Sequence, residues 1–144
     1  MWLLSICTLL LIVAAVDYRL HRIPHFLTSF GLISAILTAS ALPAQFVINS
    51  LAGALFLFVL FWGIRFAAAK RYGSHVFGFG DVMLAALIGA IGGLEIGAQA
   101  IVIGILLAGC YSAIALGLGW RERRDTLPYG TFLALGAIAR FIYG

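Results

Sequence analysis

The sequence predicts an all-α membrane protein with about six transmembrane helices, and three observations support that fold class. Of the 144 residues, 64% are hydrophobic and only 10% are charged, whereas a soluble domain has about a quarter charged residues and fewer than half apolar ones. The mean hydropathy is +1.14. A backbone that crosses lipid must satisfy its own hydrogen bonds, which favours helices, and 144 helical residues at ~1.5 Å each allow five or six crossings. These properties exclude disordered chains, disulfide scaffolds and ordinary cytosolic domains.

Short polar or turn-forming clusters divide the apolar sequence into six predicted spans. The spans cover about residues 2–16, 26–42, 46–66, 81–92, 96–119 and 127–143. Pro43 closes the second span, because proline and the residue before it disfavour a continuing helix. Gly92-Gly93-Leu94-Glu95 separates the short fourth span from the fifth, and Pro128 opens the sixth in a first-turn position that tolerates a missing N–H. Gly89 and Gly93 form a G-x-x-x-G pair, which is typical of closely packed helices.

Basic residues lie almost entirely in the odd-numbered connections between these spans. They are Arg19 and Arg22 in the first, Arg65, Lys70 and Arg71 in the third, and Arg121, Arg123 and Arg124 in the fifth; Arg140 is the exception. Cytoplasmic loops carry an excess of Lys and Arg, so both termini are predicted to be extracytoplasmic. The formal net charge of +4 is therefore interpreted as a topology signal. Membrane lipid is the predicted surrounding, and no nucleic-acid partner is predicted.

No linker, repeat or low-complexity segment interrupts the chain, so residues 1–144 are interpreted as a single domain. The first sixteen residues lack the basic start and small-residue cleavage site of a secretory signal, which favours a retained first span. Cys7 and Cys110 lie inside apolar segments with no C-x-x-C pair, and the three histidines lack the spacing of a ligand set. We therefore predict no metal and no cofactor.

Asp17 and Asp81 stand out among the five acidic residues. Asp17 ends the first predicted span and Asp81 begins the fourth, so both are expected at the cytoplasmic boundary of the membrane. Ionisable groups at membrane depth are costly and usually functional. Taken singly, Asp17 is also explained as a snorkelling residue paired with Arg19 or Arg22, and Asp81 as a helix N-cap.

The residues before Asp81 favour a chemical role. Gly78 and Gly80 flank Phe79 and allow another backbone to come close. A third glycine or a Gly-Lys-Ser/Thr is missing, which excludes the dinucleotide-binding and P-loop patterns. Two carboxylates with a water between them would share one proton, and such a pair can hydrolyse a peptide bond without a metal or a nucleophilic side chain.

Three segments resemble signatures of the type IV prepilin peptidases. Asp17-Tyr18-Arg19-Leu20-His21-Arg22-Ile23-Pro24 resembles D-x-R-x-x-R-I-P-N, and the segment from Gly78 to Leu87 resembles G-x-G-D-V-K-L-L-A-A-L. Leu127-Pro128-Tyr129-Gly130 followed by Phe132-Leu133-Ala134-Leu135-Gly136 is similar to I-P-F-G-P-F-L-A-L-G. The three occur in the family's order, so the resemblance covers most of the chain.

The resemblance implies a polytopic aspartic peptidase of the bacterial inner membrane, which removes the leader of type IV pilin-like precursors at the cytoplasmic face. It maps the catalytic pair onto Asp17 and Asp81. Gly78, Gly80, Arg19, Arg22 and Pro24 are interpreted as substrate-binding or site-shaping residues. The paired C-x-x-C motifs of a methylation region do not occur, so the chain is expected to be similar to the short, cleavage-only members of tight-adherence (Flp) pilus systems.

Four positions depart from the family pattern. They are His25 for Asn, Phe79 for a frequent glycine, Met83 for Lys and Thr131 for Pro. Neither aspartate is affected, so substrate specificity and rate are the properties that these changes leave open.

Three other functions remain possible on the sequence alone, and one of them is an inactive assembly factor. A presenilin-like intramembrane protease shares a G-x-G-D core but has both aspartates deep in the bilayer. A small proton-coupled transporter or channel subunit would use the aspartates as relay groups, and a flux assay in proteoliposomes would distinguish it from a peptidase.

Overall fold

The fold is described by a computed structural model for residues 2–20, 25–72, 78–119 and 129–143. These residues form five helices and no strand, which confirms the all-α class. The helices are α1 (Trp2–Leu20), α2 (His25–Ser40), α3 (Ala44–Tyr72), α4 (Phe79–Gly117) and α5 (Tyr129–Tyr143).

The helix boundaries differ from the predicted spans in three places. Helix α1 continues past residue 16, so Asp17 lies within it, and α3 continues six residues beyond its predicted end at residue 66. The predicted fourth and fifth spans form the single element α4. The described residues therefore contain five helical elements, and a count of six separate helices is not confirmed.

Helix α4 is broken at Gly93, inside the predicted Gly92–Glu95 turn. Gly93 has φ 68° and ψ −168°, a left-handed conformation that glycine adopts without steric cost. A Cβ placed on Gly97 would lie 3.0 Å from Cα of Gly89, whereas residues eight apart in a straight helix are separated by about 12 Å. The chain therefore turns back on itself, and α4 consists of an N-terminal arm (79–92) and a C-terminal arm (94–117). Asn49 of α3 caps the second arm, because its Oδ1 accepts the backbone N–H of Leu94 at 3.2 Å.

Both arms of α4 pack closely against antiparallel neighbours. The backbone of Gly53 in α3 touches that of Gly89 in the N-terminal arm, so a side chain at either position would overlap the other helix. Gly104 of the C-terminal arm meets Gly136 of α5 in the same way. Small residues thus allow two pairs of helical segments to approach to backbone contact, as the Gly89 pattern predicted.

Large apolar side chains line the outer surface as well as the core. Leu10, Val13, Leu57, Leu84, Leu87 and Ile88 are fully buried, while Phe30, Leu37, Ile48, Val59, Leu106 and Ile114 are exposed. In the part of the chain that is described, α3 and α4 are long and apolar enough to cross a membrane, although the reversal at Gly93 divides the length of α4 between its two arms. An apolar exterior of this extent is typical of a protein surrounded by lipid.

Candidate functional site

Asp17 is a buried acidic side chain in the penultimate turn of α1, with an exposed fraction of 5%. Its Oδ2 accepts hydrogen bonds from the backbone N–H of Thr131 at 2.9 Å and from Thr131 Oγ1 at 3.1 Å. Thr131 is the third residue of α5. The first N–H groups of a helix have no partner within it, so the carboxylate of Asp17 satisfies one of them.

Asp81 is the third residue of α4 and is partly buried. Its carboxylate accepts a hydrogen bond from the backbone N–H of Gly78, the residue that precedes the helix. This is the reach-back contact of a helix-capping pattern. Gly78 also lies over the carboxylate, because a Cβ placed on it would be 3.3 Å from Asp81 Oδ2. The N-cap is therefore Gly78, where the sequence had suggested Asp81, and Asp81 supports the cap from the third position of the helix.

The two carboxylates lie at one end of the bundle, which we call the acid end, where α1 and α3 finish and α4 and α5 begin. Asp81 is within electrostatic range of Asp17 and of Arg65 in α3. The ring of Phe79 makes an edge-to-face contact with Trp62, with centroids 5.9 Å apart. Trp62 and Arg65 are one helical turn apart, so the same face of α3 supports both the start of α4 and its aspartate.

Only some of the other predicted site residues are seen to lie close to Asp17 or Asp81. Gly78 and Gly80 accompany Asp81, and Gly80 is buried at the start of α4. Arg19 is exposed in the last turn of α1, and residues two apart on a helix do not face each other, so it points away from Asp17. Arg22 and Pro24 lie outside the described residues. The roles of Arg19, Arg22 and Pro24 stay predictions.

Thr131 contacts Asp17 and Arg65 is within electrostatic range of Asp81, but neither was predicted as a site residue. Thr131 was noted only as a departure from the family pattern, and Arg65 only as a topology signal. Thr131 is 114 residues from Asp17 in sequence, and no local pattern reports such a contact. In the sequence, the feature that could have indicated this role is that Thr131 is a polar residue in the first turn of an apolar span opened by Pro128. Of the other departures, Phe79 packs on Trp62, the side chain of His25 lies outside the described part, and nothing in the structure explains Met83.

The carboxyl groups of the acid end and their hydrogen-bond partners are suited to acid–base chemistry. Within the described ranges, no three His, Cys, Asp or Glu side chains converge as a metal site would require. Two carboxyl groups with different partners, a hydroxyl and an N–H at Asp17 and a glycine N–H at Asp81, can hold different protonation states. A water between them could be deprotonated by one while the other donates a proton.

Comparison with known proteins identifies a family. A model of the type IV leader peptidase family matches residues 4–113. A prepilin leader peptidase/N-methyltransferase of Bacillus subtilis is 32% identical over 141 residues, which are 95% of this chain and 53% of the relative. A protein of the same name from Burkholderia pseudomallei is 29% identical over 97% of this chain and 45% of the relative.

The chain spans about half the length of these curated relatives. No solved structure matches it. The matched segment contains nearly all of α1, the whole of α2 and α3 and most of α4, and thus both Asp17 and Asp81. Since the family model covers well over half of the residues, the chain belongs to the type IV leader peptidase family.

Proposed function

We propose that the chain is a membrane aspartic endopeptidase that cleaves the leader peptide of type IV pilin-like precursors. The observation that carries the proposal is that Asp17 and Asp81 lie within electrostatic range of each other at the acid end. They come from helices far apart in sequence, and each accepts a hydrogen bond from another segment or from the residue before its helix. Membership in the family and the name of the relatives supply the substrate class.

The proposed reaction uses one water and two carboxyl groups. The ionised carboxylate removes a proton from the water, whose oxygen bonds to the carbonyl carbon of the scissile peptide. The protonated carboxyl donates its proton to the carbonyl oxygen. Collapse of the tetrahedral diol breaks the C–N bond: the carboxyl that took the proton from the water gives it to the leaving amine, and the carboxylate that had donated its proton takes one back from a diol hydroxyl, which restores both groups. General acid and base catalysis each contribute about 10²–10⁴-fold to such reactions.

The proposed orientation puts the acid end at the cytoplasmic face of a bacterial inner membrane. Arg19, Arg65, Lys70 and Arg71 all lie near this end, which agrees with the excess of positive charge on cytoplasmic loops. The precursor enters laterally, with its apolar helix against the lipid-facing surface and its leader in the cytoplasm. Gly78, exposed beside the Asp81 carboxylate, leaves room for a narrow residue such as glycine at the scissile bond.

The test is cleavage of a co-expressed prepilin by variants of each aspartate. Asp17→Asn and Asp81→Asn keep the size and hydrogen-bonding capacity of the side chains but remove their acid–base function, so each is expected to abolish processing. Glu95→Gln is the matched control, because Glu95 is exposed at the opposite end of the bundle, and it should process normally. Processing that persists in either aspartate variant would refute the dyad.

A further inference from the structure

The hydroxyl of Thr131 has two hydrogen-bond partners, and both are in α1. It lies 3.1 Å from Asp17 Oδ2 and 3.2 Å from the carbonyl oxygen of Ala14. Its backbone N–H, 2.9 Å from the same Oδ2, adds a third contact between the first turn of α5 and the last turns of α1. Thr131 is therefore attached to the carboxylate and to the helix that carries it.

A hydroxyl can serve either protonation state of its neighbour. It has one proton to donate and lone pairs to accept with. When Asp17 is ionised, the Thr131 hydroxyl donates to Oδ2, because a charged acceptor is stronger than a carbonyl. When Asp17 is protonated on Oδ2, the carboxyl donates to Thr131 Oγ1, and the hydroxyl proton turns to the carbonyl of Ala14. Only a hydroxyl torsion changes, and no heavy atom moves.

We propose that Thr131 is a positioning residue that holds Asp17 in one orientation while this carboxyl takes up and releases its proton. The inference depends on the proposed peptidase function, since only turnover makes Asp17 change its charge repeatedly. Ala14 has a defined part in it, because its carbonyl receives the hydroxyl proton when Asp17 is neutral. Arg19 lies two residues from Asp17, on a different face of α1, and among the described residues Asp81 is within electrostatic range of Asp17 and Arg65 within range of Asp81.

The kinetic test compares Thr131→Val, Thr131→Ser and Thr38→Val in the full chain, with a prepilin substrate in detergent or vesicles. Valine has the shape of threonine without the hydroxyl, and its N–H bond to Asp17 remains. We expect kcat to fall about tenfold with KM changed less than about twofold, because losing a hydrogen bond to a charged group costs of this order and substrate binding does not use it. Serine should restore kcat to within about threefold, since it returns the hydroxyl.

Thr38→Val is the matched control. Thr38 is also a helical threonine, but its hydroxyl bonds only to the carbonyls of Ser34 and Ala35 in its own helix, at the other end of the bundle. It should leave kcat unchanged. Wild-type kcat in Thr131→Val, or an equal loss in Thr131→Ser, would overturn the proposal. A loss in Thr131→Val that appears as lower thermal stability and higher KM would assign Thr131 a merely structural role and also overturn it.

A spectroscopic measurement separates this inference from the peptidase proposal. The C=O stretch of protonated Asp17 is identified in infrared titrations as the band that Asp17→Asn removes. We expect the band to shift to higher frequency in Thr131→Val and to return in Thr131→Ser, whether or not the protein cleaves prepilin. An unshifted band contradicts the Thr131 contact, while a shifted band with no prepilin cleavage by the wild type contradicts the peptidase proposal alone.

Discussion

Gly78 illustrates how one residue supports the acid end in two ways. Its N–H donates to the Asp81 carboxylate, and its missing side chain keeps space beside Asp81 Oδ2 open. Both properties are local to the G-F-G-D segment, so the sequence alone indicated that this glycine mattered. The open space beside Asp81 Oδ2 can be tested by a substitution that fills it.

Gly78→Ala is predicted to reduce cleavage by about tenfold without unfolding the protein. The added methyl would lie 3.3 Å from Asp81 Oδ2, a distance that requires the carboxylate to shift by a few tenths of an ångström, and small displacements of reacting groups are costly. Prepilin processing and thermal stability would be measured together. Gly63→Ala is the control, because no atom lies within 4 Å of the added methyl there. Equal activity of the two variants would contradict this account of Gly78.

The sequence could identify the two aspartates but not their partners. In a chain with five acidic residues, a carboxylate at the edge of an apolar segment is conspicuous. Thr131 and Arg65 are common residue types with no distinctive sequence pattern. They matter because the folded chain brings α5 to Asp17 and α3 within electrostatic range of Asp81. Long-range contacts of this kind have no periodic signature in one sequence.

At the scale of the helices, the contact between α3 and the N-terminal arm of α4 depends on glycine. Gly53 and Gly89 touch through their backbones, and Ser50 donates a hydrogen bond to the carbonyl oxygen of Ala90 one turn away. The sequence predicted that Gly89 would face another helix, but it could not name Gly53, because a partner is defined only once the helices are assembled.

Gly53→Ala is predicted to lower the free energy of unfolding by about 1–3 kcal/mol, as overpacking of a tight core does. The methyl would overlap the backbone of Gly89 and Gly93, which cannot move aside as a flexible side chain would. Thermal unfolding in detergent is the measurement, and Gly63→Ala on the same helix should be neutral. A Gly53→Ala protein as stable as the control would show that the two helices are not in backbone contact.

At the scale of the whole molecule, the order of helices decides which groups meet. The all-α class and the position of the break at Gly93 were predictable, from composition and from a glycine-rich cluster. The sequence did not predict that a single glycine of positive φ would make this reversal without a longer loop. The predicted membrane orientation has its own test.

Cysteine labelling is predicted to place the two ends of the bundle on opposite sides of the membrane. In a Cys7→Ser/Cys110→Ser background, Glu95→Cys and Lys70→Cys each add one thiol at an exposed position. A membrane-impermeant maleimide should label Glu95→Cys in intact spheroplasts and Lys70→Cys only after lysis, because Lys70 belongs to the basic, cytoplasmic set. Labelling of Lys70→Cys before lysis would invert the proposed orientation.

The reversal at Gly93 also determines at which end of the bundle α4 finishes and α5 begins. With one straight α4, the chain would leave that helix about 58 Å from the end where it started, since its 39 residues would each rise ~1.5 Å, and α5 would begin far from Asp17. Because α4 returns to the end from which it started, the first turn of α5 is delivered beside α1. One backbone torsion in a glycine, at the end remote from the carboxylates, therefore determines that Thr131 and Asp17 can meet at all.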